Sequence, residues 1–340
     1  MVAMHHVIIV TGIRGRLARL VAGTLAAQEG VRRVIGVDRA APDVAPAGVE
    51  TRLCDMRAES LRALLGAERA AVVVHLAVDG EEAPLDAAAA AARENVLLAM
   101  AVLGACAAAG VRRVVLRSSS LLYGARPGLP GRIPEATPLQ LPGRSYPLRD
   151  YLEIERFVEN LAGRSLVTMT CLRCAPLVGG GVSSPLARYL QQPAPPVWLG
   201  FDPRIQVLHA EDAAVAFALA ALADAPPVAL NIASEPVLML SQAIRLAGRL
   251  PLGLPGAVLR AAARSRRAGI PLNLPFDPFY LRYSCVGETR AAREQIGFVP
   301  RWDAITAVRE LAGAGPSTGT DATARELGGV GGCQDDRVAG

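Results

Sequence analysis

Lysine is absent from this chain: the 36 basic side chains among its 340 residues are all arginine. A Schiff-base lysine, a lysine phosphate clamp and a lysine partner in a proton relay are therefore excluded within it. Aromatic residues make up only 4%, so the core has to be built mainly from Ala, Val and Leu. The arginines are scattered and rarely neighbour a ring, whereas a nucleic-acid reader needs a clustered basic stripe with stacking side chains. No nucleic-acid partner is expected. No apolar run is long enough for a membrane span. Met1 to His6 leads into an apolar run without a charged leader or cleavage site, so a cytoplasmic protein with reduced thiols is expected. The six cysteines follow no regular framework. Cys171 and Cys174 read C-x-x-C, but no second pair follows and the histidines offer no ligand spacing, so no metal is expected.

What is present is apolar. Hydrophobic residues reach 51% and charged residues 20%, which excludes a disordered chain and allows a sizeable core. Short apolar runs at His6–Thr11, Val34–Val37, Ala70–Leu76, Val111–Leu116 and Leu166–Leu172 read as strands. They alternate with helical patterns at Arg16–Gln28, Asp86–Ala109 and Leu152–Leu161. That alternation predicts βαβ units, hence an α/β fold with a doubly wound parallel sheet. Composition shifts after Pro176, at a run of three glycines followed by Pro193, Pro195 and Pro196. The expected division is a nucleotide-binding domain at 1–175, a smaller mixed substrate-binding region at 176–312, and a disordered tail at 313–340 that lacks apolar periodicity.

The first strand ends in Thr11-Gly12-Ile13-Arg14-Gly15-Arg16-Leu17-Ala18, with a helix immediately after it. Gly12 permits a tight turn, Gly15 lets the backbone approach a pyrophosphate, and small Ala18 lets helix and strand pack closely. The helix N-terminus offers free N–H groups and the positive end of its dipole to phosphate. Asp38 ends the second strand, about twenty residues on, where a ribose-binding acid belongs. A carboxylate there accepts from both ribose hydroxyls and repels a 2′-phosphate, which favours NAD over NADP. Arg39 and Arg16 lie close by and weaken that preference. Ile13 and Arg14, inside the loop, are expected at the cofactor with the glycines.

These residues resemble the extended short-chain dehydrogenase/reductases, specifically the NAD-dependent epimerase/dehydratase family to which UDP-glucose 4-epimerase belongs. The spacing Thr-Gly-x-x-Gly-x-x-(Gly/Ala) is that family's. The resemblance covers roughly residues 5–312 and implies a Rossmann fold with tightly held NAD. It implies further cofactor contacts at Asp55 and Met56, at Leu76 and Ala77 in His75-Leu76-Ala77, at Asn95, and at Ser118. Val114 to Gly124 is similar to the family's Ser-Ser-x-x-x-Tyr-Gly element, which places Ser119 at the catalytic Ser/Thr. The implied substrate is a nucleotide sugar or another small hydroxyl-bearing molecule. The Ala-rich helix at Asp86–Ala109 implies a homodimer, since family members often pair through it.

The family's Tyr-x-x-x-Lys element is missing. Its lysine lowers the pKa of a tyrosine that otherwise titrates near ~10. The corresponding segment runs Tyr146-Pro147-Leu148-Arg149-Asp150-Tyr151-Leu152-Glu153-Ile154-Glu155. If Glu155 is the Glu that follows the family's Lys by four, Tyr151 stands at the Lys position and Pro147 at the Tyr position. If Tyr146 is the catalytic tyrosine, Asp150 stands four later; if Tyr151 is, Glu155 does. Arg149, three residues after Tyr146, is the candidate replacement charge, so Ser119, Tyr146 and Arg149 form the catalytic expectation. Without Tyr-Lys, a non-catalytic NAD(P)-binding sensor or scaffold is the alternative. His209 and Asp212 are expected to join parts of the chain through hydrogen bonds. Ala257–Ala268, with Arg260, Arg264, Arg266 and Arg267, fits a solvated helix, a contact to a pyrophosphate, or an anionic membrane surface.

Overall fold

A computed structural model describes residues 6–77, 85–140, 146–161, 166–224, 228–264, 274 and 276–313. The first half alternates as β1 (His6–Thr11), α1 (Arg16–Ala26), β2 (Val31–Asp38), β3 (Val49–Leu53), α2 (Ala58–Glu68), β4 (Val72–His75), α3 (Leu85–Ala109), β5 (Arg113–Ser119), α4 (Tyr146–Leu161) and β6 (Thr168–Cys174). Next come β7 (Leu177–Val178), α5 (Pro185–Leu190), β8 (Pro196–Trp198), β9 (Arg204–Ile205), β10 (Leu208–His209), α6 (Ala210–Leu222) and β11 (Ala229–Ile232). The last described elements are β12 (Leu238–Met239), α7 (Leu240–Leu246), β13 (Leu252–Leu254), α8 (Gly256–Arg264), α9 (Arg290–Ile296) and α10 (Ala304–Glu310).

The apolar runs become parallel strands because helices cover both faces of the sheet, so no strand needs a polar side. Seven strands pair in the order β11-β6-β5-β4-β1-β2-β3, all parallel. One core lies between the sheet and α1 with α6; the other lies beneath α2, α3 and α4. The order reverses at β1, which has β2 on one side and β4 on the other. Ligands of such sheets bind at that switch point, beyond the C-terminal strand ends.

The second half does not stay apart from the first. α6 packs beside α1, and β11 adds a strand to the main sheet, in register from Ala229 opposite Cys171 to Ile232 opposite Cys174. The boundary at 175/176 thus divides the chain but not the sheet: an exposed edge of β6 is covered by a strand from the later segment. What remains outside is a smaller core of β8, α5, α7 and α10 around Trp198, Tyr189 and Ile244. Cys171 and Cys174 face opposite cores, since an odd spacing on a strand sends side chains to opposite faces. They do not converge on one point. Residues 314–340, expected as the tail, lie outside the described residues. No helix among the described residues is long and apolar enough to cross a membrane.

Candidate active site

The turn after β1 is built around Gly12, at φ +80°. A side chain there would be doubly unfavourable, because its Cβ would come within 2.8 Å of the Ala77 backbone N and Cα. Gly12 and Ala77 therefore bring the ends of β1 and β4 into backbone contact. Gly15 is the N-cap of α1 with extended backbone, and no side chain caps the helix. The first-turn N–H groups of α1 are left to an external acceptor, and no acidic residue stands there to compete with an anion. Ala18 is buried against the sheet. Ile13 is fully buried, its side chain lying where a Cβ at Gly36 would intrude within 2.4 Å. Only the main chain of Ile13 can face a ligand.

Asp38 is held at the end of β2 by two main-chain donors. Arg14 N–H donates to Oδ2 at 3.2 Å and Arg39 N–H to Oδ1 at 2.7 Å. The Arg39 guanidinium turns to Glu94 on α3, 3.4 Å away in an exposed pair. Asp55 is half exposed, and its carboxyl is held below its ordinary range by the N–H of Arg57, with Ser60 assisting. Met56 is buried, at φ +62°. Leu76 is buried beside the turn. A cradle that a Cβ would fill, uncapped N–H groups, and a carboxylate at the second strand end are together the fittings of a dinucleotide site. The residues fit NAD.

Two strand spacings away, roughly 10 Å, β5 ends in Ser118 and Ser119. Both line a cleft of about 1150 Å³ open to solvent. Ser119 Oγ accepts the N–H of Leu121 at 3.2 Å. Ser118 Oγ donates to Glu155 of α4. Leucines, Phe276 and Tyr280 form much of the cleft, with Arg188, Arg204 and Gln206 as polar members. Those three carried no spacing signal in the sequence; β9, β10 and α5 bring them together only in three dimensions.

Arg149, expected as the replacement charge, is not among the residues lining the cleft and pairs with Glu153, one turn on, at 3.4 Å on an exposed face. The reason is the amphipathic pattern of α4, which buries Leu148, Tyr151, Leu152, Ile154, Glu155 and Val158 and leaves 149 and 153 outside. The backbone of Tyr146 opens α4, and its side chain lies outside the described residues. Asn95 on α3 is buried and donates to Asp150 Oδ2 at 2.8 Å, so α3 and α4 are joined beside the site. Burial pushes the Asp150 carboxyl up to about 6, with the Asn95 bond opposing part of the shift. His75 is fully buried, its Nδ1 2.8 Å from Thr11 Oγ1, and burial lowers its pKa to about 4.

Glu155 also explains Arg173 on β6, a residue whose role the sequence did not show. The two form a buried pair at 2.7 Å. Arg173 continues through Nη1 to Tyr123 Oη at 2.9 Å, and Tyr123 donates to Asn231 on β11 at 2.9 Å. His209 and Asp212 bind the segment around α10. His209 Nε2 lies 2.8 Å from Glu310 and its ring stacks on Trp302 at 4.0 Å, while Asp212 accepts the N–H groups of Arg301 and Trp302.

A search for known families matches residues 8–233 to the NAD dependent epimerase/dehydratase family. The uncharacterized protein Rv0501 of Mycobacterium tuberculosis is 36% identical over 310 residues, covering 88% of this chain and 82% of that protein. The uncharacterized protein Mb0513 of Mycobacterium bovis matches to the same extent, at 36% identity. Among solved structures, UDP-glucose 4-epimerase of Thermotoga maritima with UDP-glucose superposes with a TM-score of 0.68 at 18% identity, over 91% of this chain and 98% of that one. UDP-glucose-4-epimerase of Stenotrophomonas maltophila, with bound NAD and formylated UDP-arabinopyranose, gives 0.68 at 20% identity, over 91% and 98%. These structural likenesses establish the fold. On the family match over two thirds of its length, the chain belongs to the NAD dependent epimerase/dehydratase family, and NAD is its cofactor.

Proposed function

We propose that this chain is an NAD-dependent oxidoreductase of the epimerase/dehydratase type, acting on a hydroxyl of a nucleotide sugar or a similar hydroxyl-bearing substrate. The observation that carries the reading is the Gly12 cradle at the C-terminal end of β1, in the same parallel sheet whose β5 ends in Ser119 on the cleft wall. NAD supplies a reversible hydride acceptor when bound. Ser119 Oγ already accepts from Leu121, so its own hydrogen is free to donate to the reacting oxygen of a substrate. Arg188 and Arg204 offer planar donors that suit phosphoryl oxygens, which favours a nucleotide sugar over a free sugar. Asp38 favours NAD over its 2′-phosphorylated form.

Leu148 of α4 lines the cleft, Tyr151 is buried behind it, and Glu155 holds Ser118 of the cleft wall, which supports the register that takes Glu155 as the family's Glu and puts Tyr151 at the lysine position. Proton transfer is assigned to Tyr146, at the helix start. Without a lysine in the chain to lower it, a tyrosine hydroxyl is expected to act as a base more readily as pH rises, so turnover is expected to climb towards alkaline pH. The test begins by denaturing the purified protein and identifying the released nucleotide by mass spectrometry. Turnover of UDP-sugars is then followed for the parent, Ser119→Ala and Tyr146→Phe. Ser119→Ala is expected to lower kcat by about 10²-fold or more. Unchanged turnover in Tyr146→Phe would remove the tyrosine from the reaction.

The outward Arg149 and buried Tyr151 also support a second reading, a non-catalytic NAD-binding sensor or scaffold. Tight NAD binding without turnover of any sugar nucleotide is the outcome that selects it. Under either reading we infer a homodimer through α3, whose Leu97 and Met100 are exposed.

A further inference from the structure

Trp198 of β8 is the hub of a cluster distinct from the serine wall of the cleft. Its indole is buried, with Phe279 stacked at 6.2 Å and Phe201 edge-on at 6.2 Å. Arg260 of α8 and Arg282 lie over the indole at 5.4 Å and 5.3 Å, and Arg282 also covers Phe201 at 4.7 Å. Around this hub, apolar side chains stand in solvent: Leu199 is 63% exposed, Leu252 45%, Phe201 40%, Phe279 38% and Val258 37%. The backbone makes them one surface. β8 pairs with β13, and Gly256, at the start of α8, is so close to the indole that a Cβ would lie 2.1 Å from it.

The guanidinium groups of this surface are not ion-paired within the described residues. Among the described residues neither Arg260 nor Arg282 has a carboxylate partner, and Arg282 Nε has no hydrogen-bond acceptor. Between Glu235 and Asp277 the chain carries six arginines and no carboxylate side chain. The two nearest acids along the chain are already engaged. Asp202 accepts the N–H and hydroxyl of Ser241 at 2.8 and 2.7 Å, and Asp277 accepts the N–H of Phe279 at 2.9 Å. Exposed leucine and phenylalanine beside unpaired guanidinium groups match the two layers of a bilayer surface. The acyl boundary takes the apolar side chains, and the phosphate layer takes the cations. A nucleic acid would use the cations and rings but would leave Leu199, Leu252 and Val258 against water or phosphate.

We propose that this Trp198-centred face docks on an anionic phospholipid surface, with Leu199 and Phe201 entering between headgroups and Arg260 and Arg282 on the phosphates. Tyr283 touches Arg282 at 5.0 Å and also lines the cleft, so the docked face adjoins the cleft. The docking does not depend on the reaction proposed above, and its test needs no turnover.

The test is flotation of the full chain with vesicles of phosphatidylcholine containing phosphatidylglycerol, and with phosphatidylcholine alone. The chain should float with the anionic vesicles, remain behind with the neutral ones, and be partly released by salt. Leu199→Glu with Phe201→Glu, and separately Arg260→Glu, should each lower bound protein about tenfold or more. Leu199 and Phe201 are exposed and Arg260 is partly so, and unchanged thermal melting and NADH titration will report an intact fold. A parent chain that stays behind with anionic vesicles overturns the proposal. So do folded variants that float like the parent, equal binding to neutral vesicles, or displacement by a short DNA duplex at equal phosphate.

Discussion

His75 and Asp150 are buried ionisable side chains whose effects on stability run in opposite directions with pH. His75 titrates at about 4 in the folded chain, below the ordinary histidine value, because burial disfavours its charged form. Its contribution is fully present above about pH 6.5 and is lost as pH falls towards 4. Asp150 titrates at about 6, above the ordinary aspartate value, again through burial. Its contribution is fully present below about pH 4 and is lost as pH rises through 6. Between those limits each group tilts stability by at most about 1.4 kcal/mol per pH unit, with opposite sign, and the two largely cancel. Asp150→Asn should uncover the histidine: the unfolding free energy from urea titration should fall steadily from pH 6.5 to pH 4, by about 3 kcal/mol in all. An unaltered pH profile in that variant would show that neither group titrates as its burial requires. Asp38 and the glycines of the turn were legible as residues because strand, turn and helix follow one another in the chain, and the serines were implied by the family resemblance. The pairing of Asn95 with Asp150 was not, since it joins two helices.

At the scale of elements, a buried polar cross-link ties α4, β5, β6 and β11. Glu155 holds Ser118 and Arg173, and Arg173 reaches Tyr123 and the main-chain oxygen of Glu135, at 2.9 and 2.8 Å. Asn231 closes the network by accepting from Tyr123 and by donating its N–H to Glu135. Removing one member of a buried ion pair strands its partner in a low-dielectric interior. Arg173→Leu should therefore cost about 3–5 kcal/mol in chemical denaturation. Adding Glu155→Leu should return part of that loss, because the uncompensated carboxylate goes too. A double variant as unstable as the sum of the singles would mean the pair is not coupled. The same helix shows what a sequence spacing leaves open. Tyr146 and Arg149 are near enough on a helix to share a side, but the apolar positions of α4 decide which side is buried, and Arg149 falls outside it.

For the whole molecule, the late segment clasps the early one. Arg16 donates to the carbonyl of Gly180 at 3.0 Å, and Gly180 N–H donates to Glu310 at 3.0 Å. Gly179 has φ +69°, and a Cβ on it would strike the His209 ring at 2.4 Å. The triple-glycine run, which the composition marked only as a break, is thus the corner where α1, α6 and α10 meet. The exposed face of α3 bears on assembly. Leu97→Glu should convert a dimer to a monomer by light scattering at matched concentration; a parent chain that is already monomeric removes the dimer from the account. Leu97 is 65% exposed, so the substitution should leave the fold standing.

Local order determined much of this protein from sequence alone. Two-sided burial wrote itself as continuous apolar runs, so the parallel sheet and the strand-turn-helix order from Gly12 to Ala18 with Asp38 beyond it were legible by pattern and spacing, while Ser119 was implied by the family resemblance. The absence of lysine likewise ruled out a relay before any coordinate was known. Tertiary structure alone decided the return of β11 to the main sheet, the outward face of Arg149, the Glu155–Arg173 pair and the Trp198 surface. Each depends on which distant segments share a core or an edge. Burial, charge pairing and exposure are properties of that assembly, and no short window of sequence contains them.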